Sequence, residues 1–400
     1  MKSPPTGATV KFLIYSILYL GVLPAGAQDA PVVRDGRYWA QTVEGSLPAA
    51  YRLRITSVGS ITVRGNGGNQ IRYSARKRVR AGSEVEAKRI LARAQIRASR
   101  QGSGVLLLVE NPECGRCSFS ADLQVTAPRA TEETTLETHG GTLEVYDVDG
   151  RVNAETAGGS IQMDRIGQSV RAATAGGSII LGAIGGPVRC ETAGGSIRLG
   201  SVRGDAVLTT SGGDIEAEHV DGKLRAETAG GSIRVRRVTQ GVTAETAGGS
   251  IYLGQIGGSV SAETAGGSIT VEGASGGVRA ENANGSIKLL DVSGPLRAAT
   301  AAGNIVAQLM ANRPLADSLL ETSMGNIVVL IPEGLKLTIR ANVEVGSSLS
   351  RIQCDFPDIN VRLEDQGPGP RAVVAEGAIN GGGPVLRIRN TTGTIQIRRR

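Results

Sequence analysis

Every eighteen residues this chain repeats the phrase Thr-Ala-Gly-Gly-Ser-Ile, and few folds can hold so strict a period. Copies open at Thr156, Thr174, Thr192, Thr228, Thr246 and Thr264, with Thr-Ser-Gly-Gly-Asp-Ile at Thr210. A looser copy opens at Thr138, and degenerate ones follow in register at Asn282 and Thr300, which makes ten units without an insertion or deletion. A unit of this size cannot bury a core alone, so units of constant length must stack on their neighbours as a solenoid.

Within each unit two apolar alternations stand out. The first reads Val170-x-Ala172-x-Thr174 and returns as Val188-x-Cys190-x-Thr192, Leu224-x-Ala226-x-Thr228 and Val242-x-Ala244-x-Thr246. The second reads Ile179-x-Leu181, returning as Ile197-x-Leu199, Ile233-x-Val235 and Ile251-x-Leu253, with a further apolar residue three on at Ile184, Val202, Val238 and Ile256. A period of two means strand. The Gly-Gly between the strands is expected to turn the chain at positive φ, with a second glycine, near Gly186, Gly204, Gly222 and Gly258, at the opposite corner. At constant period, equivalent strands of successive coils pair in parallel. The expected fold is therefore all-β, a parallel β-solenoid of about ten 18-residue coils with a thin interior, consistent with an aromatic content of 3%. The Thr column shares parity with Val and Ala and is expected to point inward, bonding along its ladder and to the corner. An outward Thr array would instead suit an ice-binding surface, but the paired Thr columns of such surfaces are missing.

The ends of the chain read differently. Residues 1–27, with Lys2 and Lys11 ahead of the apolar run from Phe12 to Leu23 and then Ala25-Gly26-Ala27, have the form of a secretory signal peptide cleaved after Ala27. The run is short for a membrane span, and no later segment reaches eighteen apolar residues, so no transmembrane segment is expected in the mature chain. Residues 28–127 read as a β-rich N-terminal cap with one helix at about 84–97, opened by a capping box at Ser83 and Glu86. The stretch Thr56-Ser-Val-Gly-Ser-Ile61-Thr-Val63 already resembles a single, isolated coil. Residues 128–330 hold the repeats, with a break between Leu309 and Leu320 that resumes four residues late at Thr322. Residues 331–400 are expected to close the C-terminal end, the final Thr392-Gly-Thr-Ile395-Gln-Ile397 included.

The flanks carry a resemblance. Val125-Thr-Ala-Pro128 leading into Leu136-x-Thr138, then Ile331-Pro-Glu-Gly334, Cys354-Asp-Phe-Pro357, Ile379-Asn-Gly-Gly-Gly-Pro384 and the last Gly-Thr-Ile are similar, in this order, to the DUF4097 family of adhesin-like β-strand-repeat proteins. The resemblance covers roughly residues 50 to 400. It implies a bacterial β-solenoid, exported or on the envelope, with adhesion suggested by analogy of fold and no catalytic residues to carry over.

Candidate chemistry is sparse. Cys114 and Cys117 have redox-motif spacing, but Asn111-Pro112 before them and Ser118-Phe-Ser after them suggest a turn between strands. A local disulfide is expected in an oxidising compartment, with a reduced pair or redox or metal chemistry as alternatives. Cys190 takes the place of an inward Ala and reads as a small buried hydrophobe. The outward positions carry a column of carboxylates, Glu227, Glu245, Glu263 and Glu281, with Arg225 and Arg279 two residues before the first and last of them. This charged face is the candidate interaction surface, either a solvated charge ladder or a cation site. His139 and His219 are the only histidines, and neither has a Ser or Cys elbow beside it in sequence.

The formal charge of +7 falls to +5 once Lys2 and Lys11 are removed, and arginine runs concentrate it at 72–80, 89–100 and 398–400. Such ends suit anionic envelope polymers or headgroups, whereas an export signal disfavours nucleic acid. Taken together, these readings predict a non-enzymatic exported protein, periplasmic, secreted or on the cell surface, that uses no cofactor or metal. It would present an adhesin-like or scaffold surface to an envelope or extracellular ligand: a protein, a glycan or an anionic polymer. The alternatives are an envelope-stress sensor that binds a lipid or an antimicrobial, and a carbohydrate-active β-helix enzyme.

Overall fold

The structure, a computed structural model, describes residues 28–112, 118–311, 315–344, 351–364 and 372–400. The signal-peptide segment 1–27 and the pair Cys114 and Cys117 lie outside the described residues. The chain is all-β with one helix, and forms a parallel β-solenoid of about 11 turns with caps at both ends. Its strands fall into two sheets, of 18 and 19 strands.

One coil defines the rest. Its first strand, Leu224–Thr228, presents Leu224, Ala226 and Thr228 inward with Arg225 and Glu227 outward. The next strand, Ile233–Val238, buries Ile233, Val235 and Val238 and turns the two consecutive residues Arg236 and Arg237 to solvent. That doubled outward step accounts for the apolar residue three positions on. At Asp147, Arg165 and Asp291, which occupy the second of the two outward places, φ is +62°, +55° and +45°. Successive coils pair in parallel and in direct register, Leu224 with Val242 and Val242 with Val260 on one sheet, Ile233 with Ile251 and Ile251 with Ile269 on the other. The inward residues join into one continuous apolar core running the length of the stack.

The corners explain the repeated phrase. In the coils from Thr156 to Thr264 each threonine is buried, and its hydroxyl donates to the corner-glycine carbonyl of the preceding coil while accepting from the glycine N–H three residues ahead. Thr228 Oγ1 donates to Gly213 O at 2.9 Å and accepts from Gly231 N at 3.2 Å, and Thr174, Thr192, Thr210, Thr246 and Thr264 repeat the arrangement. Asn282 substitutes with its amide, Nδ2 donating to Gly267 O at 2.6 Å. The inward expectation for the Thr column therefore holds. A second ladder lies beside it: the side-chain oxygens of Ser178, Ser196 and Asp214 each accept from the backbone N–H one coil on. The expectation of positive φ at the corner glycines does not hold, for none of the Gly-Gly residues of the regular repeats has it. What excludes a side chain is proximity: a Cβ on Gly231 would stand 2.0 Å from the carbonyl oxygen of Gly213.

At both ends the order of coils departs from the order of the chain. At the N-terminal end, Arg52–Ser57 and Ile61–Asn66 pair in parallel with the first repeat coil, Glu133–Thr138 and Leu143–Val148. Residues 56–63 are thus part of the stack and not an isolated coil. Gly104–Val109 and Phe119–Pro128 form the next coil outward. Antiparallel strands then seal it, Ile96–Gln101 on one sheet and Gln70–Val79 followed by Tyr38–Pro48 on the other. The helix spans Glu84–Arg93, ending short of Arg97, which lies on the strand Ile96–Gln101. Ser83 caps it by accepting from Glu86 N. Its C-terminal end stops where the buried Lys77 Nζ donates to the carbonyls of Leu91 and Ala94 at 3.0 and 3.3 Å, which satisfies two groups that further helix would have covered.

At the C-terminal end, Val385–Asn390 and Ile395–Arg399 pair on one side with Ser318–Met324 and Ile327–Ile331 and on the other with Leu337–Val343 and Ile352–Cys354. The last corner-strand phrase therefore does not close the end as expected; it forms an interior coil. On the 18-stranded sheet the seal is made by the antiparallel strands Ala372–Ile379 and Ile359–Glu364, while among the described residues the other sheet ends on the three-residue strand Ile352–Cys354, a short edge to offer another molecule.

Two outcomes test the corner chemistry. Thr228→Val orphans a buried carbonyl and a buried N–H and should cost about 1 to 3 kcal/mol, read as a lower denaturation midpoint. Thr228→Ser, which keeps both bonds, should stay within about 1 kcal/mol of the parent protein.

Candidate functional site

The charged face stands where the alternation puts it, on the outer surface of the 18-stranded sheet. Glu227, Glu245, Glu263 and Glu281 occupy four consecutive coils in direct register. Like charges one rung apart repel, and the arrangement persists because arginines interleave with it. Arg225 contacts Glu227 on its own strand and reaches Glu245 of the next coil at 3.6 Å. Arg279 lies 2.8 Å from Glu281, and Arg297 of the following coil reaches the same carboxylate at 3.4 Å. Earlier in the column Arg189 Nε stands 2.6 Å from Glu191. Glu263 has no ion-pair partner among the described residues, so the ladder is neutralised at its two ends and open at its centre. The geometry brings the six predicted residues onto one face without closing them into a pocket. Among the described residues no group of three or more His, Cys, Asp or Glu is placed to hold a metal ion.

The remaining polar residues singled out by the sequence are dispersed. His219 Nε2 lies 2.9 Å from Asp221 Oδ1 at a coil edge. Asp147 is gripped by Arg165 through two contacts, Nε to Oδ1 at 2.7 Å and Nη2 to Oδ2 at 2.9 Å, which hold its carboxyl below the usual range. Tyr146 carries the Arg64 guanidinium 4.9 Å above its ring, which occupies the face a sugar would stack on. Cys190 is fully buried in the Ala column, and burial pushes its thiol up, with Glu191 adding to the shift. Cys354 is half-buried, its Sγ 3.7 Å from Phe356 O, and burial raises its thiol too.

One constellation is not visible in the sequence. Because residues 385–399 enter the stack, Arg387 and Arg389 come onto the same face as Arg279 and Arg297, two and three rungs away with Leu319 between, although about a hundred residues separate them along the chain. Together with Asp317, Ser318 and Leu319 they line a groove of about 680 Å³ at the coil where the four extra residues interrupt the period. The one available signal was the corner phrase at Thr392–Ile395, which marks a coil but does not say between which neighbours it inserts.

No protein-family model matches the sequence, and no curated protein matches it. Among solved structures, the chain is similar to a protein from Bacteroides fragilis NCTC 9343 described as a "putative adhesin", at 14% identity and a TM-score of 0.31, over 60% of this chain and 96% of that one. A "putative cell adhesion protein" from Clostridium sporogenes ATCC 15579 matches at 8% identity and a TM-score of 0.23, over 89% and 99%. A "putative lipid binding protein" from Parabacteroides distasonis ATCC 8503 matches at 11% identity and a TM-score of 0.23, over 72% and 96%. Likenesses this distant transfer no function to the present chain.

Two measurements check the site. Arg225→Ala leaves Glu227 and Glu245 facing one another and should lower stability by under about 1 kcal/mol at low salt, a loss that shrinks as salt is added. Alkylation of the native protein followed by peptide mass spectrometry should leave Cys190 unmodified until denaturant is added.

Proposed function

We propose that this chain is a non-enzymatic, exported bacterial β-solenoid that serves as an adhesin-like interaction or scaffold surface of the cell envelope. The observation that carries the reading is the division of labour within each coil. Inward places repeat nearly unchanged, whereas the outward pair of the same strand varies from coil to coil: Arg189 and Glu191, Val207 and Thr209, Arg225 and Glu227, Thr243 and Glu245, Ser261 and Glu263. The frame is held constant and the surface is written on it. About 11 turns at roughly 4.8 Å give a stiff rod near 50 Å long, with charged positions fixed at rung spacing along it. The Arg- and Glu-bearing face suits a charged partner, and the leader-like segment at residues 1–27 supports a place outside the cytoplasm.

Cells expressing the full chain provide the test. Fractionation with N-terminal sequencing should recover the protein outside the cytoplasm, beginning at Gln28. Protein retained in the cytoplasm with residues 1–27 attached would overturn the reading. Protease added to intact cells then separates a surface rod, which is digested, from a periplasmic one, which is protected.

A further inference from the structure

The geometry points to the basic groove near the C-terminal end of the rod as a binding site for an extended acidic polysaccharide, laid along the rod axis across several coils. This rests on the reading of the rod as an interaction surface and gives that surface a ligand class.

Four arginines define the groove. Arg279 and Arg297 are register neighbours, Leu319 occupies the next rung, and Arg387 the one after, with Arg389 two residues along the same strand. Arg340 stands one rung beyond Arg387 and extends the basic column past the groove. The guanidinium fork matches carboxylate and phosphate oxygens in bidentate fashion. From Arg279 to Arg387 is three rungs, about 14 Å at strand spacing, too far for one small anion to bridge. A ligand that engages all four must therefore carry several charges along its length.

Internal neutralisation is incomplete. Among the described residues, the only acid lining the groove is Asp317. Its Oδ1 accepts from Val385 N at 2.9 Å, and its Oδ2 stays 4.0 Å from Arg387. Arg279 and Arg297 share the single carboxylate of Glu281. Arg389 stands in register with Glu321 yet makes no ion pair among the described residues. Arg279 and Arg297, one rung apart, repel with a single carboxylate between them, and a bound polyanion relieves that repulsion. Arginine dominates the exposed lining, which suits a hydrated polyanionic chain better than the interior of a bilayer. None of the large apolar side chains exposed elsewhere, such as Val85, Ile180 and Met324, lines the groove to insert into lipid.

The experiment titrates purified full-length mature protein into fluorescein-labelled oligogalacturonate and follows anisotropy, with neutral dextran as control. The double variant Arg387→Glu, Arg389→Glu should weaken binding at least about tenfold, whereas the charge-matched Arg203→Glu, Arg237→Glu, both exposed and outside the groove, should change it less than about twofold. Circular dichroism verifies that each variant is folded. Should the first not fold, Arg387→Gln, Arg389→Gln takes its place with an expected loss of about threefold or more. Absence of binding by the parent protein, or equal loss in the two double variants, overturns the proposal. So does binding to phosphatidylglycerol vesicles without binding to the oligosaccharide. Each of these is read on pure protein, and so is distinct from failure of the export reading, which is read in cells.

Discussion

The closing of the backbone at one corner governs this molecule. An eighteen-residue coil must turn twice, and while some corner groups bond the corner of a neighbouring coil, as Gly248 N–H does to Ala229 O, others such as Gly213 O and Gly231 N–H leave the ladder. The buried threonine hydroxyl resolves the problem at one corner by serving two coils at once, donating backward to Gly213 and accepting from Gly231 in the coil that Thr228 belongs to. Because the hydroxyl reaches a carbonyl in the preceding coil, the corner is completed only by stacking. The glycine beneath it is required for the same reason, since the neighbouring backbone passes where a Cβ would sit. The phrase recurs because every coil meets the same geometry on both sides.

Much of this was legible in the sequence, and the limits follow from what periodicity can express. Alternation gives the inward residues, and the apolar residues three on at Ile184, Val202 and Val238 are the trace that the doubled outward step leaves in the sequence. Parity placed Thr228 inside and Glu227 outside. The capping box at Ser83 placed the helix start, but its end was set by Lys77, a residue on another strand, and no local signal marks that. A glycine at a corner suits positive φ and suits a close approach from the preceding coil equally well, and the sequence alone does not separate the two. The coil order at the ends was hidden for a stronger reason. A repeat phrase identifies a coil, but the neighbours of Arg52–Ser57 and of Val385–Asn390 depend on pairing between segments far apart in the chain, which no local phrase encodes.

The candidate face shows the same split. The Glu column and its arginines could be listed from spacing, and their stacking follows from direct register. Their effect depends on interleaving across coils, Arg225 reaching Glu245 and Arg297 reaching Glu281, which spacing within one unit does not reveal. The four-arginine groove lay further out of reach, since two of its members belong to a segment whose place in the stack is not its place in the chain.

That inserted coil has a consequence for truncation. A solenoid whose coils stack in chain order can zip shut as it emerges, each turn settling on the one before. Here Leu337–Val343 is synthesised before Val385–Asn390 yet must rest upon it. Without residues 385–399, Ser318–Met324 and Ile327–Ile331 have an unpaired edge, and the seal has no strand to sit on. The end of the rod is thus completed by residues 385–399, so that removing them would take out an interior coil and unseat the seal instead of trimming the tip.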